Sequence, residues 1–259
     1  MVDVLWMAKR DEILGYCDDL LDSRSFDDYG PNGLQVPGRA EVSKVATGVS
    51  ANLETLERAI TGGAELVITH HGLLWGDQLS ALSVPMAARL RALLCADVSL
   101  AAYHLPLDAH PEIGNNALLR DELDLEADER PFGQAKGSAV GLIGRTSEPI
   151  DLDELRRRLT EAVGQEPLVF DAGPKRISTV GIVTGSGGFA LHEAGPLGLD
   201  ALITGEPSEP VMGEAREYGI HFLAGGHYAT ETFGIRRLGE LVGQRFSIEH
   251  QFIDVPNPI

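Results

Sequence analysis

Histidines and carboxylates gather at a few places in this sequence. His70 and His71 are adjacent, His104 precedes Asp108 by one helical turn's spacing, Glu206 stands alone, and His227 precedes Glu231 by the same spacing. Imidazole and carboxylate together suit divalent first-row ions such as Zn, Fe, Mn or Ni. No cysteine lies near any of these positions, which argues against a closed structural zinc site. Two ions held ~3.5–4 Å apart typically need a carboxylate to bridge them. Asp108 and Glu231 are both of the right type, with histidines completing each ion's shell. On a regular strand His70 and His71 would point to opposite faces. A shared site therefore requires the backbone to leave strand geometry at the pair, and Gly72, directly after, permits that. By position, His104 and Glu206 are the candidates for general base or acid. His110, His192, His221 and His250 lack comparable company and read as structural or surface residues.

These side chains need elements to position them. Residues 9–22 show the spacing of an amphipathic helix, with Ile13, Leu14, Cys17, Leu20 and Leu21 on one side. A turn-rich stretch, 27–38, follows and holds the small apolar island NGLQV (32–36). Strands are then expected at 42–49, 65–69 and 98–104, with helices at 53–61 and 84–96 between them. Asn52 is placed to cap the first helix, and Pro85 suits the first turn of the second. The rhythm returns with strands at 176–184, 200–204 and 220–227 and helices at 189–198 and 209–219. Between the two runs, 138–146 reads as a strand and 152–164 as a helix. Alternating strands and helices of this length mean an α/β fold with mixed, mostly parallel sheets.

The two runs also match each other. ELVITHHG (65–72) lies over DALITGEP (200–207). VSLAAYHLPLD (98–108) lies over the segment ending in His227 and Glu231, so each repeat closes a strand with His-x-x-x-carboxylate. Ligand sites in open α/β sheets lie outside the carboxyl ends of the strands, where these residues fall. GSGG (185–188) resembles half of a phosphate-cradling turn but lacks the Lys-Ser/Thr that would follow, so a plain tight turn is the simpler reading. Ser186 has no partnered base in the pattern, which argues against a serine nucleophile. Asn115 or Asn116 reads as a helix cap.

Composition bounds the rest. The 259 residues are 43% hydrophobic, enough for a packed core. No apolar run approaches the ~18–20 residues of a membrane-spanning helix, and the opening MVDVLWMAKRDEIL, charged at Asp3, Lys9 and Arg10, does not read as a secretory leader. Two cysteines, Cys17 and Cys95, cannot form a disulfide framework, and the cytoplasm is the expected compartment. The net charge of −18 opposes broad binding to nucleic acid or anionic membrane. The one basic run, Arg156–Arg158, falls in a helical pattern and reads as a solvated face. Few lysines among many carboxylates also suit a high-salt habitat.

ITHHGLLWGD (68–77), AYHLPLDAHPEIGNNALL (102–119), ALITGEPSE (201–209), AGGHYATETFGIRRL (224–238), the closing FIDVPNPI (252–259) and the early NGLQV resemble, in order, the NIF-three-like family. Its members are often labelled GTP cyclohydrolase I type 2 homologues. The resemblance implies two intertwined α/β repeats with a dinuclear metal cleft between them, in a homohexamer. It implies residues 1–120 as the first repeat with its N-terminal helix, 121–175 as a connecting segment, and 176–259 as the second repeat with its tail. The ligands it implies are His70, His71, Asp108, His227 and Glu231, with Asp108 or Glu231 bridging, His104 beside them, and Glu206 lining the site. Where many relatives carry an aspartate after the first repeat strand this chain has GVSAN (48–52), which makes Ser50 a candidate polar contact. The short middle segment matches the form without an inserted domain. The function implied is metal-dependent hydrolysis of a small molecule such as a nucleotide, with two divalent ions acidifying a water. The alternative is a hexamer that binds, delivers or senses metal without catalysis.

Overall fold

The computed structural model describes residues 6–76 and 81–259. Asp3, and Asp77 at the end of ITHHGLLWGD, lie outside the described residues. The chain divides into two compact units. One comprises Met1–Leu107 and Gly234–Val255, the other Asp108–Phe233 and Pro256–Ile259.

The first unit carries a five-stranded sheet in the order Glu249–Phe252, Lys44–Ser50, Leu66–His71, Ser99–Ala102, Gly33–Val36. All neighbours are parallel except Gly33–Val36, which runs antiparallel to Ser99–Ala102. Ala46, Val67 and Leu100 sit in register across three strands and form the floor of the core. Helix Leu53–Thr61 lays Leu56 and Ala59 on that floor. It starts where expected, because the Asn52 side chain accepts the Thr55 N–H. Helix Val84–Ala96 begins with Pro85 in its first turn and a Ser83 cap, and Leu93 joins the same core.

The second unit holds a six-stranded sheet in the order Glu126–Ala135, Ser138–Ile150, Ile177–Val183, Ala201–Thr204, His221–Ala224, Leu168–Phe170. Here the parallel character is confined to the three central strands, and the flanking pairings are antiparallel. Ile182, Ile203 and Leu223 line up across the trio and meet Leu155 and Leu159 of helix Leu152–Val163. That helix turns its arginines outward into pairs. Arg157 bonds Glu154 and Glu161, and Arg158 bonds Glu154. The basic run is thus largely neutralised on its own helix.

The two sheets repeat one plan. Each has a parallel trio whose third strand is flanked by an antiparallel strand from earlier in the chain. In the first, the Glu65 carboxylate accepts the N–H groups of Ser43 and Lys44; in the second, Asp200 accepts those of Ser178 and Thr179. Each carboxylate thereby ties the start of the first trio strand to the start of the second. The duplication read from sequence is therefore also a duplication of hydrogen-bonding devices.

Candidate functional site

In the first unit three imidazoles converge. His70 and His71 close the strand Leu66–His71. The expectation that the backbone leaves strand geometry at this pair is not met, since the strand runs through His71. Pairing with Ser99–Ala102 ends at Thr69, while pairing with Lys44–Ser50 continues to Ser50 and His71. The two rings nonetheless come to 4.6 Å between centroids. Gly72 has a different role from the one expected: a Cβ there would overlap the Gln35 amide. Gln35, inside the NGLQV island, accepts the N–H groups of Leu73 and Leu74 and donates to the Pro31 carbonyl. The island thus holds the loop after the histidines.

His104 was expected at the end of a strand. That strand stops at Ala102, and His104 instead leads into the short helix Leu105–Ala109. Its ring centroid lies 5.1 Å from that of His70 and 5.5 Å from that of His71. The ligating atoms offered by His70, His71 and His104 all lie within 4.8 Å of one another. Each ring is oriented through Nδ1. His70 Nδ1 meets the Tyr103 carbonyl at 3.0 Å, His71 Nδ1 meets Ser50 Oγ at 3.2 Å, and His104 Nδ1 meets Asp28 Oδ1 at 2.7 Å. A carbonyl only accepts, so His70 carries its proton on Nδ1 and its electron pair on Nε2. Burial alone would raise the Asp28 carboxyl pKa; hydrogen bonding and charge from His104, with bonds from Asn32 and the Tyr29 N–H, outweigh it and hold the group below the usual carboxylate range.

In the second unit His227 opens the one-turn helix His227–Thr230 and Glu231 follows it, and their side chains meet at 3.2 Å through His227 Nε2. His227 Nδ1 lies 3.3 Å from Glu206, which also accepts the Ser186 hydroxyl. Ser186 Oγ is 3.5 Å from His227 Nδ1, so the fold gives this serine the imidazole neighbour its sequence spacing does not show. Asp108 is buried; its Oδ1 accepts from Asn115 at 2.7 Å and from the Thr184 hydroxyl at 3.4 Å. Neither asparagine is the expected cap. Gly114 holds that position, and Asn116 bonds the Asp108 and Val140 carbonyls and the Thr184 N–H. Both amides are buried and must satisfy several polar atoms, which these internal partners do. Gly185, first in GSGG, has φ of +63°, and a Cβ there would strike the Glu231 carboxylate. That turn serves to admit Glu231.

Among the other histidines, His221 is buried between the Gly173 N–H and the Pro174 carbonyl, and His250 meets the Thr47 hydroxyl. His110 Nδ1 accepts two backbone N–H groups, and exposed His192 stands near Tyr218. The positioning roles of Asp28, Asn32 and Asn115 are not evident in the sequence. Asp28 and Asn32 lie in an aperiodic loop, and Asn115 carried a simpler capping explanation.

Burial would lower the His227 pKa, but hydrogen bonds and charge from Glu231 and then Glu206 prevail and raise it to about 9. The unfolded imidazole titrates near ~6.5. In metal-free protein the charged ring therefore contributes stability that is fully present below pH ~6.5 and lost as pH rises through about 9. With the ring partly exposed, we expect about 1–2 kcal/mol. Thermal unfolding of chelator-treated protein between pH 6 and 10 should show a wild-type advantage over His227→Gln that shrinks across this window. A constant difference would contradict the assignment.

The model of the Duf34/NIF3 (NGG1p interacting factor 3) family matches residues 8–258. The chain belongs to the Duf34/NIF3 family. A relative from Pseudomonas aeruginosa, named GTP cyclohydrolase 1 type 2 homolog, is 42% identical over 93% of this chain and 95% of its own length. Among solved structures, protein ybgI, described as of unknown function, superposes with a TM-score of 0.92 at 38% identity over 97% of this chain and 100% of that one. TTHA1606 from Thermus thermophilus gives 0.86 at 34% identity over the same shares. These two solved structures thus share this mixed α/β fold over essentially its full length. The clusters of histidine and carboxylate in this member have the chemistry to bind a metal. No described helix is long and apolar enough to cross a membrane.

Proposed function

We propose that the protein is a metal-dependent hydrolase in which His70, His71, Asp108, His227 and Glu231 would hold two divalent ions. The observation that carries this reading is that His70 and His71 converge with His104 beside them, the three offering ligating atoms within 4.8 Å of one another. Their rings are aimed by second partners at Nδ1, the arrangement that orients metal-bound imidazole. When bound, the ions supply Lewis acidity, which acidifies water and polarises the atom under attack. The chain's own groups do the rest. Glu206 is the group that moves protons, Ser186 holds its carboxylate in place, and His104 lends its Nε2 to the histidine cluster as a base or a further ligand.

The names of relatives favour a nucleotide as substrate. A cavity of about 360 Å³ beside Glu206 bears on this, since Phe189, His192 and Glu214 line it with no lysine or arginine. It suits an uncharged or N–H-rich portion of a small molecule better than a triphosphate. A homohexamer belongs to the same proposal. The exposed Val84 and Leu94 of helix Val84–Ala96 are apolar surface suited to contact between copies.

The test is hydrolysis, including GTP ring opening and phosphoester cleavage, before chelation, after it, and after adding back zinc, iron, manganese or nickel. We expect activity to vanish with metal and return with it, and His70→Ala to lose both. Turnover by the metal-free protein would contradict the reading, and bound metal without turnover of any substrate would favour a metal-binding or metal-delivering protein.

A further inference from the structure

Asp28 sits in the turn-rich stretch before the first sheet, and its carboxylate is only 2% exposed. Four N–H donors converge on it. Oδ1 accepts from His104 Nδ1 at 2.7 Å and from the Tyr29 N–H at 2.6 Å. Oδ2 accepts from the Leu105 N–H at 2.9 Å and from Asn32 Nδ2 at 3.0 Å. Asn32 Oδ1 in turn accepts the His104 backbone N–H at 2.9 Å. One loop therefore grips His104 by both its ring and its backbone. The ring is also packed edge-on against Trp75 at 5.2 Å and Tyr29 at 6.0 Å, so it cannot turn over without displacing aromatic neighbours.

A carboxylate surrounded by four donors has no proton to give and can only accept. The proton between Asp28 and His104 accordingly belongs to Nδ1. In the neutral imidazole Nε2 then carries the electron pair, on the ring edge away from Asp28. We propose that Asp28 is a positioning residue that fixes His104 as the Nδ1–H tautomer, making its Nε2 an electron-pair donor in the cluster with His70 and His71 rather than a proton donor. What Nε2 donates to rests on the metal reading above; the tautomer itself does not.

Asp28→Asn tests this, because it removes one acceptor oxygen. Whichever way the amide lies, either His104 Nδ1 or the Leu105 N–H faces a donor. Asn32→Ala is the companion variant; it releases the His104 backbone without touching the ring. In metal-free protein labelled with ¹⁵N-histidine, NMR should show His104 as Nδ1–H in the wild type and in Asn32→Ala, and a shift toward Nε2–H in Asp28→Asn. Zinc titration should show affinity lowered about 10–100-fold in Asp28→Asn. Thermal unfolding of each variant establishes that it is folded. An Nε2–H tautomer in the wild type would overturn the proposal, as would an Asp28→Asn variant with unchanged tautomer and zinc affinity. Should the tautomers behave as expected while the wild type binds no zinc, the metal reading falls and the positioning role of Asp28 stands.

Discussion

Glu231→Gln is expected to weaken metal binding by more than about 100-fold while leaving the metal-free protein folded. Loss of a group merely behind a ligand typically costs ~10–100-fold, and a ligand should cost more. Glu231 is 3% exposed and paired to His227 at 3.2 Å. Glutamine keeps its shape and one acceptor oxygen but not its charge. Removing one partner of a buried pair leaves the other uncompensated, but His227 is partly exposed and can release its proton, so the metal-free variant should lose about 1–2 kcal/mol. The His227 pKa should fall from about 9, since Glu231 is foremost among the groups that raise it. Zinc titration, unfolding of chelated protein and His227 titration by NMR check the three parts. Near-wild-type zinc affinity would remove Glu231 from the ligands.

Gly185→Ala should be among the most damaging single-methyl additions. The residue is left-handed, at φ of +63°, which costs a residue with a Cβ roughly 1–2 kcal/mol. The new methyl would also overlap the Glu231 carboxylate and crowd His227 Nε2. The backbone cannot retreat cheaply. The Gly185 N–H donates to Thr230 Oγ1, and its carbonyl accepts from the Gly205 and Glu206 N–H groups and the Thr204 hydroxyl. Overpacking of this kind adds about 1–3 kcal/mol, for a total of about 2–5 kcal/mol. Metal affinity should fall together with stability, because Glu231 is the group displaced. A variant that melts and binds zinc like wild type would show that the turn yields more readily than its hydrogen bonds imply.

The fold was legible wherever the chain is periodic. The helix capped by Asn52 and the parallel strands leading to His70 and Thr204 announce themselves through spacing and caps. The strand Glu126–Ala135 does not. Its EADERPFGQA sequence holds charges, a proline and a glycine, tolerated because it lies at a sheet edge. Helix Thr232–Phe246 leaves no clear pattern because its apolar face is interrupted by Gly234, Gly239 and Gly243. At the site, residue types and spacing point to the histidines and carboxylates themselves. The groups that aim them are a different matter. Asp28 reaches His104 across 76 positions, and Ser186 reaches Glu206 across 20. Such pairs leave no local pattern; they exist only once strand ends are brought side by side. His70 and His71 show the converse. Alternation along a strand predicts opposite faces, yet the two rings stand 4.6 Å apart with the strand intact through His71.

The most direct test of the proposed dinuclear centre is elemental analysis by mass spectrometry of the purified native protein beside a His70→Ala/Glu231→Ala double variant. We expect about two transition-metal equivalents per chain in the native protein and nearly none in the variant. No metal in either protein, even after reconstitution with zinc, iron, manganese or nickel, would contradict the metal centre and with it the hydrolase, leaving the fold and the family as they stand.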